Sequence, residues 1–398
     1  MELFWIFVCL TALGLVCYGL QIWAIRSFKA GPRREEGQGL PPVSILKPLK
    51  GLDDGLFDNL ESFCRLDYPS YEIIFALQDR NDQAYKVAQK VKEKYPLADI
   101  SIVVERCGRG LNPKVNNLMP AYRESKYDYV LISDSNVRVD GDYLKAIVSH
   151  MEDPGVGLVS NLIRGTGGRT MGAVFENLHL NSFVMGSVCF LERFLRMPCV
   201  VGKSMLMRKS DLEAAGGLNA FKDVLAEDYL MGRRIKELGK RVVASGHMIN
   251  NVNEYSGIRR FLDRHIRWGK LRWRIGGPRY AFELVGNVVF MSSAPLVMEG
   301  LSRATLSFAL LVSLLKVLGD WYIGRTIRAG MHPLLYLLSP FKDLLIGAAW
   351  FVPLVSRTVA WRGNRYLIGE NSMLSPHPET GVWSWGYRLV EAVKGRLA

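Results

Sequence analysis

From Leu3 to Ile25 the chain carries no charged residue. At about 1.5 Å of rise per residue, a helix of that length crosses a ~30 Å hydrocarbon core. It follows Glu2 instead of a basic start, and no A-x-A-like site succeeds it, so it reads as an uncleaved anchor over residues 1–26, not a secretory signal. Residues 27–41, rich in Gly, Pro and charge, read as a linker. Beyond it, short β-rich runs alternate with helical patterns. Val43–Leu46, Tyr71–Leu77, Ile100–Val104, Tyr127–Ser133 and Val156–Ser160 are the predicted strands. Asp82–Tyr95 is predicted helical, because Val87, Val91 and Tyr95 repeat at i, i+4 with lysines on the other faces. Such alternation predicts an α/β layer structure with a mostly parallel sheet over residues 42–280.

After residue 280 the pattern changes again. Leu284–Met298 is uncharged but short, Ala304–Gly319 carries only Lys316, and Pro333–Val355 is apolar apart from Lys342 and Asp343. Lys316 sits near one end of its run, where its long stem is expected to snorkel. Residues 281–357 therefore read as membrane-embedded or interfacial helices, with the number of full crossings left open, and 358–398 as a C-terminal tail.

Charge adds orientation. Arg26, Lys29, Arg33 and Arg34 follow the anchor and no Lys or Arg precedes it, which predicts a globular part in the cytoplasm. The formal charge of +13 suits an anionic membrane face or a phosphorylated substrate. No nucleic-acid-binding module is visible, so nucleic acid is not an expected partner. The six cysteines form no C-x-x-C pair, which argues against a disulfide framework and a zinc site.

Polar residues with chemistry fall at strand ends. Asp79 and Asp134 close two predicted strands, the place where open α/β sheets bind ligands. The structural alternative for each is to cap the turn that follows, and two such acids at successive strand ends favour the functional reading. Asp134 is the candidate holder of a divalent metal, Mg2+ or Mn2+, that would act as Lewis acid toward a diphosphate. Asp79 would reach the nucleoside. Asp134-Ser135-Asn136 lacks a second acid, so protein ligands to such an ion would be few. Lys114, among Asn112, Asn116 and Asn117, is a candidate phosphate contact, or a solvated lysine. Glu227-Asp228 opens a helical run, where acids favour the macrodipole. The functional alternative is that Asp228 is a general base and Glu227 lines the substrate site. Arg264, Arg267 and Trp268 share one helical face, two guanidinium groups for a diphosphate and a flat wall for a sugar or lipid. The alternative there is an interfacial basic-aromatic helix. No P-loop, H-E-x-x-H or G-x-S-x-G sequence is present.

The series Asp79, Asp134, Asp228, then Arg-x-x-Arg-Trp resembles the D…D…D…(Q/R)xxRW pattern of membrane-bound inverting glycosyltransferases with the GT-A fold. PVSILKPLKGLDD, LNPKVNNLMPAY, ISDSNVRV, LAEDY and RHIRW resemble the ceramide glucosyltransferase family, from about residue 42 to 275, with WRGNRY a looser likeness beyond. The resemblance implies UDP-glucose as donor, the primary hydroxyl of ceramide as acceptor and β-glucosylceramide as product. It implies Asp228 as base, Asp79 and Asp134 as UDP and metal residues, and Arg264, Arg267 and Trp268 as the diphosphate motif. Where the family commonly has Asp-Ser-Gly, this chain has Asp134-Ser135-Asn136. Another UDP-sugar, or another lipid alcohol such as a hopanoid, would suit the same skeleton. A processive polysaccharide synthase would need more helices around a polymer channel, and a dead scaffold would not need every motif acid.

Overall fold

The computed structural model describes residues 2–28, 40–197, 199–361 and 364–378. Most of the predicted linker, with Lys29, Arg33 and Arg34, and the last part of the tail lie outside the described residues.

Eight strands form one sheet: β1 (Val43–Pro48), β2 (Tyr71–Leu77), β3 (Ile100–Val104), β4 (Tyr129–Ser133), β5 (Val137–Arg138), β6 (Val156–Gly167), β7 (Ser204–Arg208) and β8 (Arg241–Asn253). Their order is β3-β2-β1-β4-β7-β6-β8-β5. The first four run parallel, as the strand–helix alternation predicts. β1, β2 and β4 are almost wholly buried and mostly apolar, with buried polar exceptions such as Ser44, Lys47 and Glu72, which marks strands covered on both faces. The Gln83–Lys94 helix covers one face, capped by Asp82, whose side chain accepts from Ala84 N–H. Val91 and Ala88 on its inner face are fully buried.

β7 reverses the direction. It lies antiparallel between β4 and β6, with Ser133 opposite Ser204 and Val159 opposite Leu206. β6 then pairs parallel with β8. Both β7 and β8 escape the sequence pattern. The first is short, and the second is broken by Gly246 and by Asn250 and Asn251, so neither shows clean alternation.

Among the described residues, three helices are long and apolar enough to cross a membrane: Glu2–Ser27, Arg303–Thr326 and the segment Pro333–Val355. The predicted short stretch near residue 290 belongs to a bent pair, Ile258–Gly286 and Val288–Met298, which turn by 77° and make a fourth candidate if taken together. Close helix approach depends on small residues. A Cβ on Gly14 would fall 2.4 Å from Val285 O. Outward-facing Leu310, Leu311, Leu314 and Leu318 are exposed, as expected of side chains that meet lipid.

Lys316 does not snorkel. It is buried, with Nζ 2.5 Å from Asp320 Oδ1 and 3.6 Å from Asp343 Oδ2, because acids on its own helix and on the Ser339–Ala349 helix supply partners that a lone span would lack. The stretch after residue 357 is also more than a tail. β9 (Thr358–Trp361), β10 (Asn364–Ile368) and β11 (Leu374–Pro376) form a small antiparallel sheet. It docks on the segment before Glu227, where Leu225 N–H donates to Ser372 O at 3.0 Å and Leu374 N–H to Asp223 O at 2.7 Å.

Candidate active site

The site is assembled at the carboxyl end of β4. Asp134 is the first residue past that strand, and its N–H donates to Lys203 O at 3.3 Å across the β4–β7 ladder. Lys203 thereby stands beside it, with Nζ 2.9 Å from Asp134 Oδ2. Asn136, two residues on, turns its Oδ1 to the same ammonium at 2.9 Å. Beneath them the buried Lys47 donates to Asp134 O at 3.0 Å and to Ser133 Oγ at 3.3 Å, over the ring of Phe63. Ser135 is held by a short hydrogen bond to Asp53.

A second element brings Lys114. The Pro113–Glu124 helix starts at Asn112, whose Oδ1 accepts from Lys114 N–H and Val115 N–H, with Pro113 in the first turn where no donor is needed. Asn112 Nδ2 also donates to Val224 O and to Glu227 Oε2. The capping residue thus ties this helix to the start of the Glu227–Glu237 helix. Lys114 Nζ reaches Asp134 Oδ1 at 2.9 Å, Glu227 Oε1 at 3.0 Å and Gly202 O at 2.8 Å. Three acceptors use its three N–H groups.

Gly202 joins these parts to Asp228. Its N–H donates to Asp228 Oδ2 at 2.9 Å, and a Cβ there would sit 2.6 Å from that oxygen. Only glycine lets the backbone approach so closely. Burial and then the neighbouring Glu227 charge raise the Asp228 carboxyl to about 6, into the range of a working base. Burial would raise Asp134 too, but Lys114 and Lys203 outweigh it and hold that group well below the usual carboxylate range. For Lys114 burial opposes the charge, yet Asp134, Glu227 and Asp228 raise its pKa above the ordinary lysine value.

The arginine helix, Ile258–Gly276, is anchored from behind. Glu176 is buried, with Oε1 3.0 Å from Arg264 Nη1 and Oε2 3.1 Å from His265 Nε2. His265 and Arg264 outweigh the burial of Glu176 and keep it ionised. Trp268 packs against the main sheet core and meets the His265 ring edge-to-face at 5.2 Å. Arg267 is partly buried.

The structure therefore brings Asp134, Lys114, Glu227 and Asp228 into one hydrogen-bonded cluster. Arg264, Arg267 and Trp268 lie on a separate helix fixed by Glu176. Asp79 is exposed, and its Oδ1 accepts from Asn81 N–H at 2.8 Å, the turn-capping geometry that was its alternative. Sequence reasoning missed Lys203, Lys47, Gly202 and Glu176. No spacing signal points to Lys203, since only strand pairing sets it beside Asp134.

A divalent ion at Asp134 needs carboxylate and carbonyl oxygens free to converge on it. Here each carboxylate oxygen of Asp134 already meets a lysine, and Asn136 Oδ1 meets one of the same two. Among the described residues no group of three or more His, Cys, Asp or Glu is placed to hold a metal. Each unit of positive charge brought to ~4 Å from an ammonium costs about 4 kcal/mol at an effective dielectric of 20. This donor set, with its lysines in place, does not fit a resident divalent ion.

The fold is shared with a solved mannosyltransferase from Pyrobaculum calidifontis in complex with GDP-Man and Mn2+, at a TM-score of 0.51 and 18% identity over 89% of this chain and 98% of that one. By sequence, ceramide glucosyltransferase 3 of Caenorhabditis elegans is 34% identical over 242 residues, 60% of this chain and 52% of the relative. Ceramide glucosyltransferase 1 of the same animal is 31% identical over 312 residues, 76% of this chain and 61% of the relative. The chain thus spans between half and two thirds of the length of these curated relatives. The sequence pattern of glycosyl transferase family 21 matches residues 6–374, nearly the whole length, and the chain belongs to that family.

Proposed function

We propose that the chain transfers glucose from UDP-glucose to the primary hydroxyl of ceramide, with inversion, giving β-glucosylceramide. The observation that carries the chemistry is Asp228. It is a partly buried carboxylate raised toward neutral pH, fixed on one oxygen by Gly202 and standing beside a lysine-bridged acid pair. A single displacement needs one such base and no second nucleophile. Asp228 takes the acceptor proton as the hydroxyl oxygen attacks the anomeric carbon, and UDP departs from the opposite face.

Lys114 and Glu227 keep the base in register, because both join the network that holds Gly202. The charge growing on the departing UDP is met by Arg267 and by the lysine side chains around Asp134, with Trp268 walling the sugar side. Asp79 contacts the nucleoside. Donor and acceptor identities are supported by the likeness to the nematode ceramide glucosyltransferases. A lipid acceptor is supported by the candidate spans that adjoin the arginine helix. Arg26 at the end of the first span supports a cytoplasmic site.

The deciding experiment incubates the purified full chain with a panel of UDP-sugars and lipid alcohols, ceramide and hopanoid among them. Product mass and the anomeric proton coupling are then read. A β-glucosylceramide product is expected. A product with retained configuration, or one formed only from another sugar or lipid, would overturn the assignment.

A further inference from the structure

We propose that Lys203 fills the cation position of the Asp134–Asn136 turn, so that ammonium groups compensate the donor diphosphate in place of a resident divalent ion. The inference rests on reading this site as a nucleoside-diphosphate site, and it adds a ligand contact that the sequence motifs do not contain.

The geometry is that of an ion site with the ion replaced. Two side-chain oxygens of one turn, Asp134 Oδ2 and Asn136 Oδ1, converge on Lys203 Nζ at 2.9 Å each. The remaining carboxylate oxygen goes to Lys114. A third lysine, Lys47, holds the Asp134 carbonyl from below. Neither Asp134 nor Asn136 thus has a side-chain oxygen left for a metal unless an ammonium leaves first, and Ser135 Oγ is turned to Asp53.

Backbone register makes this arrangement durable. Lys203 accepts from Asp134 N–H through its carbonyl and donates its own N–H to Val201 O at 2.7 Å. The side chain therefore starts from a fixed point one residue before β7. Asn136 is anchored in the same way, since its carbonyl accepts from Val252 N–H at 2.9 Å.

The two lysines differ in spare capacity. Lys114 gives its three N–H groups to Asp134, Glu227 and Gly202. Lys203 gives two, and among the described residues its third N–H has no partner. Its side chain keeps 21% of its surface open, so that third N–H has access to a ligand. The Lys114 charge is shared among Asp134, Glu227 and Asp228, whereas Lys203 pairs with one carboxylate, Asp134, and one neutral amide, Asn136. A second acid in place of Asn136 would add a further negative charge beside Asp134 and would call for a metal. Lys203 is therefore a phosphate-binding residue, and Lys114 is the clamp that holds the acids around it.

The test measures UDP binding to the purified full chain by calorimetry, in EDTA and in excess Mn2+, and follows Mn2+ by electron paramagnetic resonance. Equal UDP affinity in both media is expected, with no stoichiometric bound Mn2+ in the presence of UDP. Lys203→Met is expected to weaken UDP in EDTA by about tenfold or more, the scale of one hydrogen bond to a charged group. Mn2+ should restore binding to that variant, because Asp134 Oδ2 and Asn136 Oδ1 are then released. Lys203→Arg, which keeps the charge, is expected to bind UDP in EDTA, and this separates loss of the cation from loss of the fold. Wild-type binding that disappears in EDTA and returns with one Mn2+ per chain would overturn the proposal. No UDP binding in any medium would instead remove the nucleotide reading of the site on which it rests.

Discussion

Two clusters of lysines and aspartates are built into this chain, and they do different work. In the membrane part, Lys316 pairs with Asp320 and Asp343, Lys342 pairs with Asp343 at 2.7 Å, and Tyr18 donates to Asp320 at 2.7 Å. Every charged side chain there is at most 8% exposed. At the end of β4, Asp134, Lys203 and Lys114 retain between 15% and 23% of their side-chain surface. The first cluster closes on itself between apolar helices and staples them. The second keeps one face and one donor open. Similar ion pairs are closed into a brace or left open to solvent according to what seals them.

The largest expected effect falls on the open cluster. Asp228→Asn should lower transfer by about 10³-fold or more, the scale of removing a general base, while UDP affinity by calorimetry stays within about twofold. Unchanged turnover would take the base role from Asp228. Next comes the sealed cluster. Lys316→Met leaves Asp320 and Asp343 short of a counter-ion, and should destabilise the fold by about 3–5 kcal/mol, read as an earlier thermal transition in detergent. Lys203→Met, at the open site, should shift that transition far less. Equal losses would erase the distinction between the clusters.

Arg267→Ala is expected to weaken UDP by roughly tenfold, as for one charged hydrogen bond. If only acceptor use suffers, the arginine serves the lipid instead. The smallest effect is set by pH. The base must be ionised, so kcat/KM should be level above the raised pKa of Asp228, about 6, and fall by about tenfold per unit below it. UDP affinity should not follow the same curve. A profile flat to pH 5 would contradict the raised carboxyl.

Legibility along the chain follows the range of the interactions. Tyr71–Leu77 and Ile100–Val104 match the predicted strands residue for residue, and the Asp82–Tyr95 helix appears with those two residues as its caps. These are written in local periodicity. β7 and β8 are not, because their pairing is decided by neighbours far away in the chain. Val156–Ser160 was readable as a strand, but its extension to Gly167 depends on the parallel β8 beside it. The same division runs through the site. Asp134, Glu227 and Asp228 stand out by position and type. Glu176, on the Met171–His179 helix, becomes meaningful only once Arg264 and His265 are packed on it.

The amino-acid sequence by itself determined the apolar spans, the parallel half of the sheet, the acids at strand and helix ends and the Arg-Arg-Trp face. Hydrophobic period and local charge act over a few residues and need no partner. Only the tertiary structure decided which charges meet. The antiparallel insertion of β7 carries Lys203 to Asp134, the Asn112 cap ties Lys114 to Glu227, and helix packing seals Lys316 between two aspartates. The reason is electrostatic and steric together: an ion pair depends on distances of about 3 Å, and ladder register and helix packing set those distances across many tens of residues.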